Sequence, residues 1–153
     1  MERKIVRATY DSFKPDPKPV PVVKDKKRKN EFSELRKEAD KVWSEYIRQY
    51  YADNKGKVKC ATCSTVDHWK YLHCGHFISR EQNIVRFDFR NCAPQCPECN
   101  VAKRGNLDIF ELWIDHTHGF GTAEQLKNLA KQPFKLFREH LNQIISNYKI
   151  IKR

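Results

Sequence analysis

The chain has 153 residues, of which 39% are hydrophobic and 32% are charged, a composition typical of one globular domain with extensions. Its net charge of +11 favours a polyanionic partner, with nucleic acid as the first candidate. No stretch is long and apolar enough to cross a bilayer, and the charged N-terminus lacks the apolar run of a secretory signal. We therefore expect a cytoplasmic protein without a membrane partner.

Residues 1–29 are expected to form an extended, basic, proline-rich N-terminal arm. Four of the seven prolines lie at positions 15, 17, 19 and 21, and prolines spaced in this way favour extended backbone. The arm ends in a basic run that suits contact with phosphates, namely Lys26, Lys27, Arg28 and Lys29. A disordered arm that only improves solubility is an equal alternative.

Helices are predicted on both sides of a central region. Residues 30–56 form a helical element, in which Asn30 caps a helix over residues 31–52, because apolar residues recur there at three- and four-residue steps. Residues 107–153 are predicted to be helical in three segments: Leu107–Asp115, a short helix capped by Thr122, and a last helix that begins at Pro133.

Two C-x-x-C pairs indicate a structural zinc site. Six cysteines seldom form disulfides in a reducing cytosol, and two residues between thiolates let both sulfurs face one ion. The predicted ligands are Cys60, Cys63, Cys96 and Cys99. Four thiolates leave the ion no open position, so it should stabilise the fold and take no part in catalysis. Redox pairs or buried free thiols are the alternative, and the remaining cysteines, Cys74 and Cys92, are expected to be small buried residues.

Residues 57–106 are predicted to hold the functional core. We expect a pair of short strands between Trp69 and Ile78, and a strand or loop over Val85–Phe89. A helix should start near Cys96, because Pro97 suits the first helical position, and it should end at Gly105.

An ordered motif runs through this core. After the first C-x-x-C pair come G-H-F, then R-F with a nearby Asn, then Q-C-x-x-C-N, and finally K-x-G-N. Over about residues 60–107 this order resembles the recombination endonucleases of lambdoid phages called NinG or Rap, and it is similar to phage endonuclease VII, a Holliday-junction resolvase. The resemblance implies an α+β fold with a zinc-stapled ββα-metal core of the HNH (His-metal finger) type, flanking helices and the basic arm. A phage-encoded protein would act in the host cell cytoplasm.

The resemblance also implies roles for individual residues. His76 would be the general base that removes a proton from water, which suits an imidazole because its pKa lies near neutrality. Asn100 would bind a catalytic Mg²⁺ or Mn²⁺ ion, and Asn91 would orient the loop that carries the histidine. Related nucleases have an aspartate ligand shortly before this histidine. Here Gly75 is adjacent and His73 takes the place of the acid, so Mn²⁺ is expected to work better than Mg²⁺.

DNA contacts are assigned to basic residues around the motif and in the arm. Those around the motif are Arg80, Arg86, Lys103 and Arg104, and those in the arm are Lys26, Lys27, Arg28 and Lys29. Arg86 has a second interpretation, in which it pairs with a structural acid.

The implied function is that of a metal-dependent, structure-selective DNA endonuclease that hydrolyses phosphodiesters in branched, Holliday-junction-like recombination intermediates. Two coordinated cuts favour a homodimer. The helices at 31–52 and 134–146 would then supply its interface, or they would complete the core of a monomer. Two alternatives remain: a non-catalytic zinc module that binds DNA or RNA, and an HNH nuclease that cuts ordinary duplex DNA.

Overall fold

The structure, a computed structural model, describes residues 26–149 as an α+β arrangement of helices and two small sheets. In chain order the elements are α1 (Lys26–Tyr50), β1 (Lys57–Lys59), β2 (Val66–His68), β3 (His73–His76), β4 (Cys92–Gln95), α2 (Leu107–His118), α3 (Thr122–Ala130) and α4 (Arg138–Tyr148). The expected arm over residues 1–25 lies outside the described residues. Within residues 26–149, no helix is long and apolar enough to span a membrane.

Both sheets are antiparallel pairs of strands, and the pairing of the strands differs from the prediction. β1 pairs with β2, and β3 pairs with β4 so that His76 lies opposite Cys92. The prediction of two paired strands between Trp69 and Ile78 was wrong, because residues 69–71 form a 3₁₀ turn and β3 is the only strand in that stretch. The partner of β3 comes after a loop over residues 77–91, in which the segment over Val85–Phe89 is not a strand.

Helix α1 begins at Lys26, so the predicted boundary between arm and helix was wrong. Residues 26–29 belong to the helix and Asn30 lies inside it, because no glycine or proline interrupts the segment over residues 26–50. The buried face carries Ala39, Trp43 and Ile47, each four residues from the next. This spacing places them on one stripe that faces the rest of the molecule.

Helix α4 packs against α1 and completes the same core. Leu141 is fully buried with Ala39, and the rings of Trp43 and Tyr148 meet edge to face at 4.9 Å. The two helices therefore complete the core of one chain. The predicted start at Pro133 was wrong, because residues 133–137 are not helical and the helix begins at Arg138.

Helices α2 and α3 close the other side of the functional core. Phe110 and Ile114 of α2 and Leu126 of α3 are fully buried, in a cluster that also includes residues from the 77–91 loop and β4. Helix α2 runs to His118, three residues beyond the predicted end. Thr122 is the first residue of α3 and not its cap, a position that Gly121 takes with a φ of 83°.

Candidate functional site

The two cysteine pairs converge beside β1, β2 and β4. All four sulfur atoms lie within 4.8 Å of one another, and those of Cys63 and Cys96 are 3.7 Å apart. The backbone N–H of Cys96 donates to the sulfur of Cys60 at 3.3 Å, and the N–H of Cys99 donates to the sulfur of Cys96 at 3.4 Å. Such donors stabilise thiolates. The cluster is able to hold a zinc ion, as the spacing predicted.

Two of these cysteines differ in how readily they lose a proton. The hydrogen bond between Cys63 and the Thr65 hydroxyl, 3.3 Å long, lowers the pKa of Cys63 to about 6. Burial raises the pKa of Cys99 to about 12. The Cys63 thiol therefore loses its proton more readily than the Cys99 thiol.

A cleft of about 450 Å³ lies against α1 and β3, next to the cysteine cluster. Its lining residues come from four separate parts of the chain and are Ser44, Arg48, Lys70, Leu72, His73, Cys74, His76, Arg80 and Asn100. Three residues with implied catalytic roles, His73, His76 and Asn100, therefore share one cleft. The lining residues include three cations and no carboxylate, which favours an anionic ligand.

Asn100 reaches this cleft from a short π-helical turn over Glu98–Ala102. A helix starts beside Pro97, as predicted, but it is π-helical and ends at Ala102, three residues before Gly105. Residues 104–106 then have positive φ angles. Cys99 is fully buried towards the cysteine cluster, whereas the amide of Asn100 lies 3.0 Å from Nδ1 of His73. Consecutive residues of the turn thus serve two different sites.

The ring of His76 is held by a backbone carbonyl. Its Nε2 lies 3.1 Å from the carbonyl oxygen of Arg86, and because a carbonyl only accepts, Nε2 carries the hydrogen. Nδ1 then carries the lone pair. Burial lowers the pKa of His76 to about 4, and the positive charge of Arg80 acts in the same direction. At pH 7 the ring is therefore neutral and able to accept a proton.

The contacts of Arg86 correct its predicted role as a DNA contact. Its Nε donates to Asp40 of α1 at 2.8 Å, a second nitrogen donates to the other carboxylate oxygen, and a third donates to the carbonyl of Arg80. Only 10% of its side chain is exposed. Arg86 is thus engaged in the structural ion pair that was the alternative interpretation. The pair ties the segment that holds His76 to α1.

Asn91 is fully buried and does not line the cleft. Its side-chain oxygen accepts the N–H of Ile78 at 2.8 Å, and its side-chain nitrogen donates to the carbonyls of Ile78 and Val85, both at 3.0 Å. Its own carbonyl accepts the N–H of Phe77 at 2.9 Å. Asn91 therefore fastens the loop that begins directly after His76.

Steric crowding explains why the residue before His76 is a glycine. A Cβ atom on Gly75 would lie 2.1 Å from Oε1 of Gln95, which is fully buried. The Gln95 amide nitrogen donates to the carbonyl of Gly105 at 2.7 Å and to the hydroxyl of Thr62 at 3.0 Å, so this side chain is fixed. No acidic side chain fits at position 75 while Gln95 occupies this space.

The remaining predicted DNA contacts are distributed over the surface. Arg80 lines the cleft, whereas Lys103 and Arg104 are exposed and do not line it, and the Lys103 amine lies 3.7 Å from Glu98. Arg28 and Lys29 are exposed on α1. Lys26 and Lys27 lie in the first turn of that helix.

Two cationic lining residues, Arg48 and Lys70, were missed by sequence analysis. Arg48 of α1 donates to the carbonyls of Trp69 and Leu72, both at 3.1 Å, and its guanidinium lies 5.4 Å from the centre of the Trp69 ring. Lys70 precedes the histidine motif by only three residues, which could have drawn attention to it. Nothing in the sequence links Arg48 to the motif, since 25 positions separate it from His73.

A comparison with protein families gave a match that covers the whole described region. The chain matches a model of the family described as Bacteriophage Lambda NinG protein, and the match covers residues 20–153. No curated protein and no solved structure gave a match. Because the match spans most of the chain, this protein belongs to the bacteriophage lambda NinG family.

Proposed function

We propose that this protein is a metal-dependent DNA endonuclease that hydrolyses phosphodiesters in branched recombination intermediates. The observation that carries the proposal is that His73, His76 and Asn100 line one cleft together with three cations. Membership of a phage family supports a role in phage recombination. We further propose that β3, β4 and the π-helical turn over Glu98–Ala102 correspond to the ββα core of HNH nucleases.

His76 is the proposed general base. Its Nε2–H is committed to the carbonyl of Arg86, so Nδ1 is the atom that takes a proton from the attacking water. The neutral state of the ring at pH 7 makes this lone pair available. The ion pair between Arg86 and Asp40 makes both of them positioning residues, because they fix the carbonyl that orients the ring.

His73 and Asn100 are the proposed ligands of a divalent cation. The amide nitrogen of Asn100 donates to Nδ1 of His73 at 3.0 Å, so a bound cation would replace this hydrogen bond and the amide would turn its oxygen towards the ion. The imidazole nitrogen and the amide oxygen are both neutral donors. This donor set fits Mn²⁺ better than Mg²⁺, which prefers oxygen ligands and usually a carboxylate. When bound, such a cation supplies charge stabilisation to the phosphorus centre and the leaving oxygen.

Arg48, Lys70 and Arg80 are proposed to bind the phosphates that flank the scissile bond. They line the same cleft, and no carboxylate among the lining residues offsets their charge. Arg48 is already oriented by three backbone carbonyls and by the Trp69 ring, so binding costs it little conformational freedom.

The test measures cleavage of a four-way junction, a flap and a linear duplex, each with Mg²⁺ and with Mn²⁺. His76→Ala should reduce the cleavage rate about 10²–10⁴-fold while retaining DNA binding. His116→Ala, which removes an exposed histidine of α2 outside the cleft, is the matched control. Equal rates on all three DNAs would favour a duplex nuclease. DNA binding without cleavage under either metal would favour a non-catalytic zinc module.

A homodimer remains part of this proposal, because resolution of a junction requires two cuts. Helices α1 and α4 bury apolar residues against each other within one chain. A dimer contact would therefore use other surfaces of these helices. Sedimentation of the protein with and without a four-way junction would show whether two copies assemble.

A further inference from the structure

A second group of potential metal ligands lies on the β3–β4 pair, outside the four-cysteine cluster. It consists of Cys74, His76 and Cys92, and one ligand atom of each lies within 4.8 Å of the others. Alternate residues of a strand share a face, which places Cys74 and His76 together on β3. Cys92 is the direct partner of His76 on β4. The strand register thus gathers the three side chains.

The surroundings leave one side of this group open. Cys92 is fully buried, and its sulfur accepts the indole N–H of Trp43 at 3.3 Å. Cys74 and His76 are half-buried and line the cleft. A cation between the three atoms would therefore have protein on one side and the cleft on the other. A fourth ligand would have to come from the cleft.

The donor set selects the kind of cation. Two sulfurs and one imidazole nitrogen favour a thiophilic ion such as Zn²⁺ over Mg²⁺ or Mn²⁺. Two sulfurs at about 2.3 Å from one zinc ion lie about 3.8 Å apart, so small side-chain rotations from separations below 4.8 Å would close the site. Both thiols would release their protons to solvent on binding. A Zn²⁺ ion with two thiolates has no net charge, which suits a partly buried position.

We propose that Cys74, His76 and Cys92 form an inhibitory binding site for Zn²⁺ beside the cleft. The bound ion occupies a ring nitrogen of His76, so the histidine no longer accepts a proton from water. The inhibitory effect rests on the proposed nuclease function, whereas the binding itself does not. The site fills after the four-cysteine cluster, because it has three protein ligands and not four.

Metal stoichiometry tests the binding. Full-length protein in a phosphine reductant is dialysed against Zn²⁺, and zinc per chain is measured by elemental analysis. Wild type should reach two ions per chain and Cys74→Ala only one. Cys92→Ala provides a second test, and Ser44→Ala is the control, because Ser44 lines the cleft without belonging to the group. One ion in wild type, or two in Cys74→Ala, would overturn the proposal.

Two further measurements separate binding from inhibition. Co²⁺ added to protein with one zinc should produce sulfur-to-cobalt charge-transfer absorbance in wild type and in Ser44→Ala, and none in Cys74→Ala. Excess Zn²⁺ should inhibit Mn²⁺-supported junction cleavage. The zinc concentration that halves the cleavage rate should be at least about tenfold higher for Cys74→Ala than for wild type. Each rate is taken relative to the rate of the same protein without zinc. Equal sensitivity would refute the inhibition. If no protein cleaves DNA, the nuclease proposal fails, while stoichiometry still decides the binding.

Discussion

Acidification is expected to destabilise this protein through His76. Burial lowers the pKa of the ring from 6.5 to about 4, so between these pH values the unfolded chain binds a proton that the folded chain does not. The free energy of unfolding therefore falls as pH decreases through this window. At about 1.4 kcal/mol per pH unit, the full contribution of His76 is about 3 kcal/mol.

Urea denaturation of wild type and His76→Asn, each loaded with one zinc ion per chain so that only the four-cysteine cluster is filled, measures this contribution at pH 7 and pH 4.5. Wild type should lose about 2–3 kcal/mol more than the variant, because asparagine does not titrate. Acid also weakens zinc binding by the four cysteines, but this loss is common to both proteins and cancels in the comparison. The exposed His116→Asn variant controls for the loss of an imidazole elsewhere.

Equal losses in wild type and His76→Asn would refute the reasoning. They would mean that the folded protein accepts the proton as readily as the unfolded chain, so that water reaches the ring. Burial would then not keep His76 neutral, and its proposed role as an oriented base would lose its physical support. The test needs no DNA and no catalytic cation, so it examines the environment of His76 separately from the proposed activity.

Three further outcomes follow from the contacts around the site. Asp40→Ala should lower the free energy of unfolding by about 3–5 kcal/mol in thermal or urea melts, because it leaves the buried Arg86 without its partner, and a loss below about 1 kcal/mol would contradict this. Gly75→Ala should cost about 1–3 kcal/mol, because its methyl group meets Gln95, and an unchanged melting temperature would exclude that close contact. Removal of zinc by a strong chelator should abolish the near-ultraviolet circular dichroism of the core reversibly, whereas an unaltered spectrum would show that the four cysteines do not stabilise it.

The sequence predicted the metal-binding cluster because its signal is local. Two residues between cysteines suffice to direct two sulfurs at one ion, and a second identical pair completes four ligands. The same holds for Asn100, whose position directly after Cys99 implies a different direction of the side chain. Both features depend on short-range backbone geometry, and the structure shows both.

Features that depend on distant segments were missed or left open. The sequence did not identify Arg48, which enters the cleft from α1, or Asp40, which fixes Arg86 from the same helix. The partner of β3 was also missed, because a loop over residues 77–91 separates it from β4. The pattern of apolar residues shows which face of α1 is buried, but it does not show which polar side chains at its edge meet another segment.

The cysteine cluster and the cleft depend on the same two elements. β4 leads into Cys96 and pairs along its length with β3, which carries His73 and His76. The π-helical turn that follows places Cys99 in the cysteine cluster and Asn100 beside His73. A zinc ion bound by the two cysteine pairs would thus also fix the distance between the histidines and the asparagine. Zinc binding by the four-cysteine cluster can therefore be essential to the proposed reaction in the cleft, although none of the four cysteines lines the cleft.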